Sequence, residues 1–190
     1  MGEHMEHSQE WEDKVDFEKF LSGEAGGFER LVLRYKNPLI FFIKRYVTAF
    51  DLAEEIAQDT FADFYEFANR YNGKASIKTY LFTIGKNKAI TYLRKNGRIS
   101  YLEEEYEIQA ELDLERAIVA EEEKTYLIKA LGRMNKDYSR VLLLVIYENM
   151  SYKEVAAVMK KTMPQIKILV HRAKKALKKQ LESEGFVYEK

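Results

Sequence analysis

The side chains best spaced for chemistry are carboxylates in one short acidic segment. Glu55 and Asp59 are four residues apart, as are Asp59 and Asp63, so on a helix they share a face. Acid–base catalysis would need a partner such as histidine, but none of the three histidines lies in this segment, and the chain has no cysteine. No phosphate-binding glycine loop or nucleophile elbow occurs. We therefore expect no catalytic residue, no metal and no cofactor, and interpret the acidic face as solvated or protein-binding.

Two other segments have the composition of a nucleic-acid surface. The chain of 190 residues contains 31 basic and 31 acidic side chains, but they alternate in blocks. Residues 1–66 carry 7 basic and 15 acidic side chains, and residues 67–98 carry 8 basic and no acidic ones. Residues 99–124 carry 2 basic and 10 acidic ones, and residues 125–190 carry 14 and 6. Cations interleaved with Tyr71, Tyr80, Phe82 and Tyr92 suit unpaired DNA, although Phe82 and Tyr92 fit a core better.

The second basic block ends in a pattern typical of a helix-turn-helix. Residues 151–154, Ser-Tyr-Lys-Glu, form a capping box, and Thr162 can cap a last helix with Pro164 in its first turn. The spacing of Ile166, Val170, Ala173 and Leu177 buries one face of that helix and leaves its cations outside. That face suits a DNA major groove, but a solvated basic helix in a bundle would have the same pattern.

The elements that position these groups are predicted to be helices throughout. The composition favours helix, and no apolar run is long enough to span a membrane, so we expect an all-α protein of the cytoplasm. It comprises two small helical domains joined by an acidic linker. The bounds are a disordered tail at 1–15, a first domain at 16–98, the linker at 99–113, a helix-turn-helix domain at 114–183 and a tail at 184–190. Pro38 is expected to kink or split one helix.

Taken in order, three motifs resemble a family. They are Asp-Leu-Ala-Glu-Glu-Ile-Ala-Gln-Asp-Thr-Phe (51–61), Lys-Ala-Ser-Ile-Lys-Thr-Tyr-Leu-Phe-Thr-Ile-Gly-Lys-Asn-Lys-Ala-Ile-Thr-Tyr-Leu-Arg (74–94), and the C-terminal Leu-Gly-Arg-Met, Ser-Tyr-Lys-Glu-Val-Ala and His-Arg-Ala-Lys-Lys-Ala-Leu. Together they are similar to the extracytoplasmic-function sigma factors of bacterial RNA polymerase, within the sigma-70 superfamily. The resemblance implies a subunit that binds core polymerase and directs promoter-specific initiation, with −10 recognition and strand opening.

The resemblance also implies which residues bind what. The residues matching the core polymerase-binding face are Asp51, Leu52, Glu55, Ile56, Gln58, Asp59 and Phe61. Those matching the −10 element-binding surface are Arg70, Tyr71, Asn72, Lys74, Ser76, Lys78, Tyr80, Lys86, Asn87, Lys88 and Arg94. Those matching the −35 element-binding surface are Tyr152, Lys153, Thr162, Gln165, Lys167, Ile168, His171, Arg172 and Lys175. The linker resembles the family's connector through the polymerase channels, and an anti-sigma factor is an expected partner.

The start of the last helix departs from the family's pattern. The family commonly has a hydroxyl and a cation where this chain has apolar residues, among them Ile168. Ile168 could contact a thymine methyl group or a protein partner, and both interpretations stay open at this point. For the whole chain, the alternatives are a stand-alone helix-turn-helix regulator that dimerises through its first domain, and a helical adaptor without DNA affinity.

Overall fold

The computed structural model describes residues 2–96 and 130–183, with side chains from residue 9 to 96 and from 130 to 182. The chain divides into two compact units, Met1–Gly97 and Arg98–Lys190, which we treat separately. Every regular element in the described residues is helical, which confirms the expected all-α class. The predicted linker at 99–113 and the tail at 184–190 lie outside the described residues.

The first unit is a bundle of four helices. These are α1 (Gly2–Leu21), α2 (Gly27–Ile43), α3 (Phe50–Glu66) and α4 (Ile77–Asn96), with a 3-10 turn at Ala68–Arg70 after α3. Helix α2 lies at the centre, because α1, α3 and α4 all pack against it. The largest fully buried side chains of this unit are Leu31, Leu39, Phe42, Ile43, Phe64, Ile77, Leu81 and Phe82.

The prediction of a disordered tail at 1–15 is wrong for the residues that the structure describes there, because α1 begins at Gly2. Asp13 is buried, and its carboxylate accepts hydrogen bonds from Tyr35 Oη and, at 2.6 Å, from Arg34 Nη1. Asp16 pairs with Arg30 Nε at 2.6 Å and with Arg34 Nη2 at 3.0 Å. In the sequence alone, an acidic stretch such as this one indicates a solvent-exposed segment. Its position was decided by arginines fourteen to twenty-one residues further along the chain.

The two aspartates respond differently to this shared environment. Burial raises the pKa of the Asp13 carboxyl above its ordinary value, although hydrogen bonds from Tyr35 and Arg34 act in the opposite direction. Burial also acts to raise the pKa of Asp16, but the hydrogen bonds from Arg30 and Arg34 outweigh it and lower that pKa. The network therefore holds Asp16 as an anion and fixes α1 on α2.

The close approach of α1 and α2 depends on Gly27. A Cβ atom at this position would lie 2.5 Å from the backbone oxygen of Asp16 and 2.7 Å from the amide nitrogen of Phe20. No larger residue fits unless the two backbones separate. Gly27 is therefore the first residue of α2 and also the point at which α1 and α2 approach most closely.

Pro38 and Asp51 are local features of helices α2 and α3. Pro38 lies within α2 without splitting it, because the helix is assigned continuously from Gly27 to Ile43. Helix α3 begins at Phe50 with Ala49 as its N-cap, which makes no side-chain capping hydrogen bond, and Asp51 lies in the first turn. A carboxylate there still interacts favourably with the N-terminal end of the helix dipole.

The second unit contains the predicted helix-turn-helix. Helix α5 (Lys136–Leu142) continues as a π-helical segment (Leu143–Tyr147), and α6 (Tyr152–Met159) and α7 (Met163–Ser183) follow. Asn135 caps α5 by accepting from Asp137 N at 2.9 Å, so the helix begins at Lys136. Ser151 and Glu154 make the complete capping box of α6. Lys160 adopts the left-handed conformation, φ 54° and ψ 46°, which ends α6 and starts the turn into α7.

Candidate nucleic-acid interface

Helix α3 places the expected polymerase-binding residues on two different sides. Asp51, Glu55, Gln58 and Asp59 are exposed and Leu52 is half-buried, so an acidic outer face exists as predicted. Ile56 and Phe61 are only 5% and 6% exposed, because they face α2 and the core. These two residues, which match the family's polymerase-binding face, therefore lie beneath the exposed acidic side chains.

Phe61 instead lines an apolar groove between α2 and α3. The groove has a volume of about 600 Å³, and its walls are contributed by Phe28, Val32, Ile40, Ala57, Phe61, Ala62 and Tyr65. Its polar lining residues are Lys36, Glu54, Gln58 and Glu66, with Lys36 Nζ 3.3 Å from a carboxylate oxygen of Glu54. Sequence reasoning missed this groove. The sequence feature that could have revealed it is the wide apolar face of α2. Phe28 and Val32 widen that face beyond the buried Leu31 and Tyr35.

The loop before α4 is held against the core by two tyrosines. The Tyr71 hydroxyl donates to Ala75 O at 2.6 Å, and its ring packs edge-on against Phe17 and beside Tyr80. Burial raises the pKa of Tyr71 to about 12, with a smaller contribution from the charges of Glu10 and Asp13. Tyr71, which we had preferred as a base contact, is therefore half-buried and chiefly positions the loop.

The tip of the same loop presents polar groups. Asn72 Oδ1 accepts from Lys74 N at 3.1 Å, and Gly73 adopts a φ of 71°. Asn72 and Lys74 are exposed, as is Arg70, whose guanidinium lies 3.9 Å from the centre of the Phe67 ring. Ser76 then caps α4, since its Oγ accepts from Thr79 N at 3.2 Å. This local bonding fixes which side chains point outward.

The cations of α4 do not form one exposed face. Lys86, one of the residues that match the −10 surface, is only 6% exposed and does not project outward. Lys88 Nζ lies 2.8 Å from a carboxylate oxygen of Asp63 on α3, and Lys78 lies 6.0 Å from the centre of the Tyr35 ring. Asn87 is half-buried, whereas Arg94 is exposed. The charge on this helix is therefore shared between the core, α3 and the surface.

Two aromatic residues of α4 had been assigned to the core. Phe82 is fully buried, with its ring centre 5.1 Å from that of Phe42, and confirms that assignment. Tyr92 is 37% exposed near Arg94 and Lys95, so for this residue the assignment is wrong. An exposed ring beside cations can stack on a base, and Tyr92 thus joins the candidate site.

Helix α7 has the clear division of faces that its sequence predicts. Ile166, Val170, Ala173 and Leu177 are all less than a tenth exposed. The candidate contacts Lys167, Ile168, His171, Arg172 and Lys175 are all exposed. On α6, Lys153 is exposed and Tyr152 is half-buried. Residues 163–181 contain no acidic side chain, so the exposed side of this helix is cationic.

Thr162 and Gln165 are occupied with each other at the start of α7. Thr162 Oγ1 accepts from Gln165 N at 3.4 Å, and the side-chain oxygen of Gln165 accepts from Thr162 N at 2.8 Å. This reciprocal capping satisfies two amide groups at the helix start. Because reading adenine takes both the oxygen and the nitrogen of a glutamine amide, Gln165 would have to release Thr162 to do so.

Other kinds of site find no support in the described residues. Within 2–96 and 130–183, acidic and histidine side chains form no group of three that could ligate a metal. None of the helices in those ranges combines the length and apolar character that crossing a membrane requires. The candidate site therefore consists of charged and aromatic surfaces.

Comparison with known proteins identifies both units. Residues 31–99 match the family model for sigma-70 region 2, and residues 124–177 match that for sigma-70 region 4. The RNA polymerase sigma-H factor of Pseudomonas aeruginosa is 24% identical over 182 residues, which are 90% of this chain and 94% of that protein. The ECF RNA polymerase sigma-E factor of Escherichia coli K12 is 24% identical over 181 residues, with the same coverage of 90% and 94%.

Solved structures show the same fold. The structure of CnrH in complex with the cytosolic domain of CnrY matches with a TM-score of 0.64 at 22% identity, over 90% of this chain and 98% of that one. The sigma factor RpoE of Bartonella quintana, in complex with the anti-sigma factor NepR, matches with a TM-score of 0.61 at 23% identity, over 82% and 96%. With the two family models together covering well over half of its length, the chain belongs to the sigma-70 family and is an RNA polymerase sigma factor of the extracytoplasmic-function type, which directs transcription initiation.

Proposed function

We propose that the outer face of α3 and the groove beside it bind core RNA polymerase. The observation that carries the proposal is the segregation of charge, because α3 exposes Asp51, Glu55 and Asp59 while every charged side chain along residues 163–181 of α7 is a cation. The apolar groove adds the desolvated area that a protein partner needs, and the acidic face beside it adds orientation. Ile56 and Phe61 support this surface from below, whereas Leu52 and Gln58 contact the partner.

The loop at 70–76 and the outer side of α4 bind the −10 element of the promoter. Arg70, Asn72, Lys74 and Arg94 are the exposed members, and Tyr92 adds a ring for stacking. Extruding a base costs a few kcal/mol, which pocket contacts and phosphate neutralisation offset. The subunit can therefore assist strand opening by binding the open form, with no nucleotide hydrolysis and no enzymatic activity of its own.

Helix α7 enters the major groove of the −35 element. Its N-terminal half carries exposed Lys167, Ile168, His171 and Arg172, and recognition helices contact base edges with their N-terminal residues. Lys153 on α6 and Lys175 further along α7 contact phosphates, which set the register of the helix on the duplex.

Run-off transcription tests the function as a whole. Purified core polymerase is incubated with fragmented genomic DNA, with and without the protein, and the RNA start sites are sequenced. We expect starts at a defined set of promoters only when the protein is present. No promoter-selective initiation would contradict the promoter recognition proposed for these surfaces.

A pair of charge reversals tests the docking surface. Asp59→Lys on the exposed face of α3 should weaken association with core polymerase at least tenfold, because it opposes the complementary charge of the partner. Glu18→Lys makes the same change on the exposed side of α1 and serves as the matched control. Association is measured by fluorescence anisotropy of the labelled protein. Equal affinity for the two variants would exclude the face of α3 as the dock.

An anti-sigma factor is the further partner that we propose. The two structural neighbours were each solved in a complex, one with the cytosolic domain of CnrY and the other with the anti-sigma factor NepR. These complexes support the proposal of such a partner for this chain. An inhibitor would cover the polymerase-binding and DNA-binding surfaces. The apolar groove is the surface where it could bury hydrophobic side chains. The protein would act in the cytoplasm, where polymerase and promoter are found. Affinity capture with Asp59→Lys as the comparison bait tests whether an inhibitor uses the same face.

A further inference from the structure

The exposed side of α7 is mostly polar and cationic, and its exposed large apolar residues are Met163 at the helix start and Ile168. Ile168 is 53% exposed, while its neighbours Lys167, His171 and Arg172 are exposed polar groups. Successive residues of an α-helix turn by about 100°, so Ile168, two positions after the buried Ile166, projects away from the core. Its exposure therefore follows from the helix position and is not a consequence of loose packing.

Ile168 belongs to a row of exposed side chains along the outer face of α7. Pro164, Ile168, His171 and Lys175 follow one another at spacings of three or four residues, and all four are exposed. The first two are apolar and the last two can carry positive charge. A helix inserted by its N-terminal half therefore presents apolar groups to base edges and cations to the backbone.

We propose that Ile168 reads thymine in the −35 element by packing against the C5 methyl group. In the major groove only thymine offers an apolar group, and apolar side chains are the ones that contact it. The cations around Ile168 favour DNA over a protein as the occupant of this face, because residues 163–181 contain no acid that would repel phosphate. This inference rests on the proposed −35 binding and deepens it by naming a base.

The reciprocal capping of Thr162 and Gln165 strengthens the assignment. Gln165 is the residue of this helix start that could otherwise read a base by paired hydrogen bonds, but its side-chain oxygen accepts from Thr162 N at 2.8 Å. With that oxygen engaged, the first two turns of α7 offer Lys167, which can bond guanine, and Ile168, which can contact a thymine methyl group.

Removing single methyl groups from the DNA tests the proposal. Holoenzyme made with this protein first selects its preferred −35 sequence from a randomised library, in the presence of a fixed −10 element. Each thymine of the selected element is then replaced by uracil, which lacks only the methyl group, and the Kd of the holoenzyme is measured. We expect one position, or two adjacent ones, at which uracil weakens binding about three- to fivefold, since one buried methyl contributes roughly that factor.

Variants then connect that methyl group to Ile168. Ile168→Ala should bind thymine and uracil equally at the same position, and Ile168→Gln should select adenine there in a repeated library experiment. Ile146→Ala removes another exposed isoleucine of the same unit, 40% exposed, and should retain the full uracil effect. A uracil effect of the same size in wild type and Ile168→Ala would overturn the proposal, as would weaker core-polymerase binding by Ile168→Ala with no loss of thymine dependence.

The outcome separates this inference from the function on which it rests. If a −35 sequence is selected but uracil is tolerated everywhere, the −35 binding stands and the methyl readout by Ile168 is wrong. If no −35 sequence is selected while initiation is promoter-specific, both the −35 role of α7 and the readout by Ile168 fail.

Discussion

The two basic helices, α4 and α7, have similar charge in the sequence but different roles in the two units. Helix α7 buries one stripe and exposes its cations, whereas α4 packs against α2 and α3 and buries Lys86 together with Phe82. One cation of α4, Lys88, pairs with Asp63. The comparison shows that a basic helix in the middle of a bundle must serve the core first, while a C-terminal helix packed on one side is free to carry a binding face.

The largest expected effect tests whether α4 is principally a core element. Phe82→Ala should lower the free energy of unfolding of the first unit by about 3–5 kcal/mol, because it removes a fully buried ring and leaves a cavity. Urea denaturation followed by circular dichroism measures it, with hydrogen exchange assigning the transition to a unit. Ile168→Ala on α7 is the contrasting variant, and its exposed side chain predicts a change within about 0.5 kcal/mol. Similar losses for both variants would remove the distinction.

The next effect concerns the N-cap of α6 in the second unit. Ser151→Ala removes the complete capping box of α6 and should destabilise the second unit by about 1 kcal/mol, within the usual range of 0.5–2. Thermal denaturation of the full chain is the measurement. Ser151→Asn keeps a side-chain acceptor at the N-cap and should recover most of the loss. If the asparagine variant is as unstable as the alanine variant, capping is not the reason.

Salt dependence compares the cations themselves. Replacing Lys175 of α7 by Met removes one exposed charge and should reduce the slope of log K against log salt by about 0.9, the value for one phosphate contact. The titration uses holoenzyme on a duplex containing the selected −35 element. Lys14→Met on the exposed side of α1, whose partner is Glu10, is the matched control and should leave the slope unchanged. An unchanged slope for Lys175→Met would place this residue away from phosphate.

The smallest effect concerns the ion pair between α3 and α4. Asp63→Asn should release Lys88 and strengthen binding to a single-stranded −10 oligonucleotide by about two- to fivefold, because exposed pairs contribute only about 0.2–1 kcal/mol. Binding is measured with holoenzyme and a fluorescent oligonucleotide at fixed salt. Asp63→Asn combined with Lys88→Met should lose the gain. A gain that persists in the double variant would show that Lys88 is not the cation released.

The sequence determined most of the fold because its signals are local. Hydrophobic periodicity, the capping box at Ser151 and Glu154, and the glycine and proline positions predict the helices, and the motif order predicts the family. The exposed face of α7 was predictable for the same reason, since its division into buried and exposed residues follows from spacing along one helix.

What only the tertiary structure decided involves partners distant in sequence. The acidic start of the chain became α1 because Arg30 and Arg34 neutralise Asp13 and Asp16, and no periodicity reports such a pairing. Lys86 went inward and Tyr92 outward because α4 is covered on more than one side. The groove between α2 and α3 exists only once the two helices are packed. Spacing along a chain fixes which face a residue shares, but packing between helices fixes whether that face meets water, another helix or a partner.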